Sequence, residues 1–163
     1  LDGELIAELG STSMLRNFHV QGAPTGSPAP LPDAPAREPD RTDDIATSPQ
    51  VALIYRLLGG RSDIHWDPVD ARANGFEGPI MHGLSTYGHA CHSVLRVWCD
   101  YDPARLRSFA TRFSAPVYPG ETLRVRYWEA NESAGVRTVH FDVRARERDV
   151  VVLANGVAEV SDG

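Results

Sequence analysis

The chain has 163 residues, 16 basic and 22 acidic side chains and a formal net charge of -6, which fits one domain of ordinary size with a short extension. Every basic residue is an arginine and there is no basic run, so nothing drives binding to a phosphate backbone and no nucleic-acid partner is expected. The longest apolar runs are far shorter than the roughly 20 residues that cross a bilayer, so no membrane partner is expected either.

Two cysteines, Cys91 and Cys99, fall within one predicted helix. At a rise of 1.5 Å per residue their α-carbons lie about 12 Å apart, which is too far for a disulfide. We therefore predict reduced core thiols, which are consistent with a cytoplasmic protein.

Two segments of unusual character come first along the chain. Residues 4–9 have the strand-like sequence ELIAEL, and residues 22–46 interleave prolines with Gly, Ala, Ser and acidic residues. Each proline removes a hydrogen-bond donor and fixes φ, so the second segment is excluded from helices and from the interior of a sheet. We predict a linker or an extended segment that lies on the surface, with a flexible terminal tail as the alternative.

Signals for two short helices follow. Ser48 is a typical N-cap for a helix over residues 50–58, which the glycines from Gly59 onward end. Asp67, followed by a proline, opens a second short helix that ends at Asn74.

The longest turn-free stretch runs from Gly83 to Asp100 and carries apolar residues at helical spacing, which predicts one long helix. From Arg105 onward the hydrophobic period changes from near 3.6 to 2, which predicts antiparallel strands. These strands are expected over residues 105–113, 122–128, 136–146 and 150–160. One long helix followed by an antiparallel meander gives an α+β class, in which a curved sheet covers one face of the helix.

Three separated motifs carry a resemblance to a known family. They are YRLLGGRSDIHWDP at residues 55–68, GFEGPIMHGLSTYG at residues 75–88 and RFSAPVYPGETL at residues 112–123. They resemble the MaoC-like or type 2 enoyl-CoA hydratases, whose pattern is Y-R-L-S-G-D-x-N-P-L-H-x-D-P, then G-F-x-x-P-I-x-H-G-L-x-T-x-G, then R-F-x-x-P-V-Y-P-G-x-T-L. The resemblance covers residues 47–160 and implies the hotdog fold, in which an antiparallel sheet wraps a long central helix.

The resemblance also implies a domain organisation, because many members of the family carry two hotdog units in one chain. We expect residues 1–21 to be the terminal strand of a preceding hotdog unit, residues 22–46 to be the Pro-rich linker and residues 47–163 to be the MaoC-like hotdog domain. Hotdog units expose sheet edges, so a homodimer or pairing with another hotdog unit is expected.

The reaction that the resemblance implies is the hydration of a trans-2-enoyl-CoA to the 3R-hydroxyacyl-CoA, or the reverse dehydration. The substrate would be an acyl-CoA or an acyl-carrier thioester. Such chemistry needs an acid/base group for the water and hydrogen-bond donors for the enolate oxygen. The family's histidine falls on His65, the oxyanion donor falls on His82 and Gly83, and Tyr55 is expected to bind substrate.

The loop before His65 departs from the family pattern. Gly60 stands where the family has its aspartate, Ser62 where it has asparagine and Asp63 where it has proline, while Leu58 replaces the usual serine. Both flanks of the loop keep the pattern, so random decay of the whole domain is a poor explanation.

Three hypotheses follow from the altered loop. In the first, Asp63 supplies the missing carboxylate beside His65, and Ser62 orients the site. In the second, His65 acts alone or with a substrate group in a repurposed hotdog enzyme of a polyketide or other biosynthetic pathway, by dehydration, isomerisation or cyclisation. In the third, the domain is a non-catalytic hotdog partner. Loss of one member of an acid/base pair commonly costs about 10²- to 10⁴-fold, so hydratase activity without a substitute carboxylate is expected to be weak.

Three potential metal ligands, His89, Cys91 and His92, lie close together in the predicted long helix. On a helix Cys91 points away from the i,i+3 pair of histidines, and no second cluster completes a coordination shell. We expect neither a metal nor a redox cofactor.

Overall fold

The computed structural model describes residues 3–12, 29–60 and 62–162, and the chain divides into two compact units, Leu1–Pro30 and Leu31–Gly163. In the first unit residues 3–12 form neither helix nor strand, so the strand expected over residues 4–9 is not formed there. A strand needs a second strand for its N–H and C=O groups, and the described part of this unit contains none. Residues 13–21 lie outside the described residues, so the origin of residues 1–21 stays a prediction.

The described residues of the second unit combine one antiparallel sheet with three α-helices. The helices are α1 (Val51–Arg56), α2 (Pro68–Ala73) and α3 (Gly83–Trp98), and single 3-10 turns lie at Asp63–His65 and Pro103–Arg105. The strands are β1 (Arg41–Ala46), β2 (Leu106–Phe113), β3 (Thr122–Ser133), β4 (Val136–Ala145) and β5 (Val150–Ser161). Their order in the sheet is β1-β3-β4-β5-β2, and all neighbours are antiparallel. The α+β class is confirmed.

The predicted helices are present with small shifts at their ends. α1 begins at Val51, one residue later than expected. The side chain of Asp67 caps α2 by accepting a hydrogen bond from the N–H of Val69 at 2.8 Å. α3 ends at Trp98, and the two cysteines are free thiols. None of the helices in the described residues is both long and apolar enough to span a membrane.

The strand β1 corrects the predicted linker. Residues 41–46 pair with β3, so the linker expected over residues 22–46 is wrong at its carboxyl end and the folded domain begins before residue 47. β1 lies at an edge of the sheet and is rich in charge, and Asp44 forms an ion pair with Arg124 of β3 at 2.8 Å. An edge strand of this kind lacks the hydrophobic alternation by which a strand is recognised.

The Pro-rich segment before β1 lies against the sheet. The side-chain amide of Asn155 in β5 donates to the Pro32 carbonyl at 3.0 Å, and the Trp128 indole in β3 donates to the Arg37 carbonyl at 2.8 Å. Residues 31–40, called the strap below, therefore run over the surface from β5 to β3. For residues 31–40 this agrees with the predicted extended segment that lies on the surface, whereas residues 22–28 lie outside the described residues.

The hydrophobic core lies between α3 and the sheet. Ala90, Val94 and Trp98 follow one another at single-turn spacing on α3, are at most 6 % exposed and belong to one cluster with strand residues such as Tyr127. Leu84, in the first turn of α3, is instead 67 % exposed. The carboxyl part of α3 is thus covered by the sheet, and the amino end of the helix reaches the surface.

A series of side-chain hydrogen bonds joins β1 to α3 and β3. Ser93 of α3 is fully buried and donates to the Asp43 carboxylate of β1, which also accepts from Arg96. The Tyr127 hydroxyl of β3 donates to Ser93 at 2.6 Å, and burial raises the pKa of Tyr127 above its ordinary value. These bonds join three elements and satisfy the buried polar groups between them.

Candidate active site

The site is built around His65, at the end of the 3-10 turn that follows α1. Its Nδ1 lies 2.8 Å from the carbonyl oxygen of Ile80, and the N–H of Ile80 donates to the Ile64 carbonyl at 3.2 Å. Because a carbonyl can only accept, the proton of a neutral His65 sits on Nδ1 and its Nε2 carries the free lone pair. The backbone pairing therefore fixes both the position and the tautomer of His65.

Three rings form what we call the aromatic stack. His82, the N-cap residue of α3, lies between the other two. Its ring centroid is 3.7 Å from that of His65 at an interplanar angle of 22°, and 4.2 Å from that of Tyr55 at 30°. Three predicted site residues are thereby brought together, because α1, the 3-10 turn and the start of α3 meet at this point.

The middle ring of the stack has an unusual electrostatic environment. The pKa of His82 is lowered, first because burial disfavours the charged imidazolium and then because His65 lies beside it. Its Nδ1 is buried and has no hydrogen-bond partner among the described residues. His82 is therefore a neutral imidazole near neutral pH.

The amino end of α3 supplies backbone donors next to the stack. Gly83 is its first residue, and the first N–H groups of a helix have no partner within the helix. The loop before it is held in place by a hydrogen bond from the Met81 N–H to the Val117 carbonyl at 2.7 Å. A Cβ atom on Gly83 would lie 3.3 Å from the Phe113 ring, so that ring packs directly over the first turn. Phe113 is a site residue that the sequence reasoning missed.

Gly60 lies beside His82. A Cβ atom built on Gly60 would be 3.3 Å from Nε2 of His82, and no other side-chain atom is within 4 Å of it. The φ angle of Gly60 is not in the left-handed region, so its backbone would accept a side chain. In this fold a carboxylate at residue 60 would therefore meet the ring of His82.

Asp63 and Ser62 are not brought to His65. Asp63 is exposed, and its Oδ1 accepts a hydrogen bond from the Trp66 indole at 3.1 Å. The guanidinium of Arg56 lies over the same indole, 4.3 Å from the Trp66 ring centroid. Ser62 is exposed and its side chain makes no capping hydrogen bond. Both side chains serve the surface of the turn in this structure.

A groove of about 410 Å³ opens beside the stack and runs along α3. It begins at Tyr55 and is lined further by Leu84, Ser85, Gly88, His89 and His92. His89 is held by its own helix, because its Nδ1 lies 2.7 Å from the Ser85 carbonyl. Across the described residues, no three potential metal ligands lie close enough together to hold an ion.

The sequence does not predict that the rings of Tyr55, His65 and His82 stack on one another. These residues are far apart along the chain, and no hydrophobic period relates them. The one sign that unites them is that each lies inside a motif, Tyr55 and His65 in the first and His82 in the second. That sign predicts a shared site but not the contact between the rings.

An antiparallel sheet packed on one long helix, with its polar site at the amino end of that helix, defines the hotdog class of proteins. Within this class the chain belongs to the MaoC-like family, since the family model described as "MaoC like domain" matches residues 31–151. The match includes β1, in agreement with the corrected domain boundary.

Proteins from several organisms are similar to this chain in sequence. The chain is 43% identical over 142 residues to "Probable enoyl-CoA hydratase 2" of Dictyostelium discoideum, and the matched region covers 86% of this chain and 46% of that protein. It is 36% identical over 162 residues to "3-hydroxyacyl-thioester dehydratase Y" of Mycobacterium tuberculosis, which covers 99% of this chain and 56% of that protein. The structure of full-length peroxisomal multifunctional enzyme type 2 from Drosophila melanogaster matches with a TM-score of 0.75 and 36% identity, over 85% of this chain and 25% of that one. The chain thus spans about half the length of these two curated relatives.

Proposed function

We propose that this chain carries an acyl-thioester hydratase/dehydratase site. The reaction adds the oxygen of water to C3 of a trans-2-enoyl thioester and a proton to C2, and it runs in reverse as a dehydration. The observation that carries the proposal is the free Nε2 of His65 at the amino end of α3, in a domain of this family. The hydratase and dehydratase names of the relatives support it.

His65 acts as the acid/base group in this mechanism. As the water oxygen bonds to C3, Nε2 of His65 takes one proton from the water, and the C2=C3 electrons move toward the thioester oxygen to form an enolate. The imidazolium then gives that proton to C2, so the enzyme ends in its starting state. The bond from Nδ1 to the Ile80 carbonyl keeps the ring oriented through both transfers.

Backbone amides of α3 stabilise the enolate. The N–H groups of Gly83 and Leu84 have no partner within the helix, whereas those of Ser85 and Thr86 donate to the His82 carbonyl. The positive end of the helix dipole favours negative charge at this place. A donor of this type typically contributes about 10²- to 10³-fold in rate.

Asp63 and Ser62 are proposed as secondary groups. To assist His65, the Asp63 carboxylate would have to give up its hydrogen bond with Trp66. An Asp63→Asn change is therefore expected to lower activity less than His65→Ala does.

The assay incubates the intact protein with crotonyl-CoA and measures the loss of the conjugated absorbance as the C2=C3 bond is hydrated. His65→Ala is expected to lower the rate at least about 100-fold, because it removes the proton carrier. His140→Ala, which changes a histidine of β4 outside the site, is the matched control and should keep the wild-type rate. If wild type and His65→Ala hydrate crotonyl-CoA at the same rate, the proposed role of His65 is wrong.

A non-catalytic hotdog partner is the second candidate, and one observation favours it: Gly60 provides no carboxylate to the site. This function predicts no turnover of crotonyl-CoA by wild type, whereas the first candidate predicts turnover that depends on His65. A repurposed enzyme of a biosynthetic pathway predicts no turnover of crotonyl-CoA but His65-dependent turnover of another acyl thioester.

The partner, the substrate and the cellular location of the protein are also proposals. We infer pairing with a second copy or another hotdog unit, which would cover the apolar side chains exposed on and after α1, and we keep the acyl-CoA or acyl-carrier thioester as substrate. A cytoplasmic location is supported by the two free thiols, although relatives named peroxisomal exist. Cell fractionation decides between these locations.

A further inference from the structure

The ring of His82 carries nitrogens that the folded structure does not use. Its Nδ1 is buried without a partner, and among the described residues no hydrogen bond to its Nε2 is formed. If the ring served only to stack between Tyr55 and His65, a phenyl ring would do so without the cost of burying an unpaired nitrogen. His140 also buries an unpaired Nδ1, so what sets His82 apart is its position in the site.

That position fixes what His82 offers to a substrate. Burial and the neighbouring His65 lower the pKa of His82, so the ring is neutral and carries one proton. With the proton on Nε2, the buried Nδ1 is a bare acceptor and an N–H donor points into the space beside Gly60. This space adjoins His65, because the two imidazole centroids are 3.7 Å apart.

We propose that His82 is a catalytic residue, whose Nε2–H donates a hydrogen bond to the reacting oxygen: that of water in hydration and that of the C3 hydroxyl in dehydration. This inference rests on the proposed function. The donor leaves the protons of the water free for His65 and keeps its own proton, so no further acid or base is needed. A carboxylate at residue 60 would accept a proton from the water, whereas His82 would donate a hydrogen bond to the water oxygen.

The neutrality of His82 suits this role. When His65 becomes an imidazolium, a second charged imidazole at this distance would oppose it by like-charge repulsion. A neutral donor avoids that repulsion and still orients the oxygen. The Tyr55 ring stacks on the other face of His82 and restricts the orientation of the imidazole.

The kinetic test compares His82→Phe and His82→Gln with wild type on crotonyl-CoA. Phe keeps the stack but removes the N–H, so kcat is expected to fall about 10- to 100-fold with little change in KM. Gln can still donate from its side-chain amide and is expected to recover part of the loss. His140→Phe, which replaces another imidazole with a buried unpaired Nδ1, is the matched control and should keep the wild-type kcat. A His82→Phe rate equal to wild type overturns the inference and leaves the role of His65 intact.

A binding test separates the inference from turnover. Calorimetry would measure (R)-3-hydroxybutyryl-CoA against butyryl-CoA, which lacks the C3 hydroxyl. Wild type is expected to prefer the hydroxylated ligand by about threefold to tenfold, and His82→Phe to lose this preference. The same preference in both proteins contradicts the role of His82 even if the enzyme turns over. If wild type binds the hydroxylated thioester but hydrates no enoyl thioester, the proposed function fails and the preference alone decides about His82. If wild type binds neither ligand, both proposals are wrong.

Discussion

At the scale of single residues, the environment of His82 ties the chemistry of the site to its stability. The ring is held between two ionisable side chains, those of Tyr55 and His65. Because burial lowers the pKa of His82, the folded protein resists its protonation more than the unfolded chain does. The same ring that would serve catalysis therefore makes folding sensitive to acid.

This gives a prediction with a definite sign. Between the ordinary pKa of 6.5 and the lower folded value, the unfolded state binds more protons, so the free energy of unfolding decreases as the pH falls through this window. His82→Phe removes that contribution. Urea unfolding at several pH values between about 8 and 5 should show wild type losing more stability on acidification than His82→Phe. Parallel pH profiles for the two proteins would contradict the lowered pKa.

The sequence motifs predict His65 and Gly83 as site residues but do not predict the arrangement of side chains around them. The motifs predict that residues 65 and 82 share a site, since both lie in segments typical of the family. The contact between the two rings depends on how the 3-10 turn and the loop before α3 exchange hydrogen bonds through Ile80. Asp63 could not be placed from sequence either, because its bond to Trp66 is a local choice of the turn.

At the scale of elements, β5 depends on a glycine at an irregular point of the sheet. Asn155 has a φ of 57°, and next to it Gly156 faces Phe141 of β4. A Cβ atom on Gly156 would press on the Phe141 carbonyl oxygen and lie 2.5 Å from its ring. Backbone and a packed aromatic ring cannot both move aside, so only glycine fits there.

Gly156→Ala is therefore expected to lower the free energy of unfolding by about 2–3 kcal/mol, which is typical of overpacking in a core. The matched control is Gly88→Ala in α3, where an added Cβ meets nothing within 4 Å. That change should stabilise the protein by up to about 1 kcal/mol, because alanine is the better helix former. Chemical denaturation measures both changes. A Gly156→Ala protein as stable as wild type would show that the sheet relaxes around this point.

The element boundaries show which signals in the sequence are strong. The bounds of α2 follow from the sequence, because Asp67 caps it and Asn74 ends it, and β2 to β5 lie where the hydrophobic period of two predicts strands. The sequence does not predict β1, because RTDDIA is mostly polar and follows a run of prolines. Its strand character comes from the partner β3 and from the partly buried Asp43–Ser93 contact, both distant in sequence.

At the scale of the whole molecule, a group of large apolar side chains lies in water. Leu53, Ile54, Leu57 and Leu58, on and directly after α1, are all more than half exposed, with Leu57 at 85 % and Leu58 at 80 %. Burying such a side chain typically contributes about 1.5–3 kcal/mol. A contiguous surface of this kind is a typical site of association.

We therefore expect wild type to self-associate, and Leu57→Glu combined with Leu58→Glu to shift it toward the monomer. Size-exclusion chromatography with light scattering measures the mass over a range of concentrations. Val69→Glu, which adds a charge at an exposed apolar residue of α2, is the control and should leave the mass unchanged. A monomeric wild type at every concentration, or a double variant that associates as wild type does, would contradict pairing through this surface.

The strap and β1 also determine how the domain can be shortened. A fragment that starts at residue 47, where the sequence patterns place the domain, would lose the carbonyl acceptors of the Trp128 indole and the Asn155 amide. It would also uncover β3 as the new edge of the sheet, with a row of unpaired backbone groups beside apolar side chains. Such an edge is a template for aggregation. Residues 41–46 thus close one edge of the sheet to pairing with a strand of another molecule.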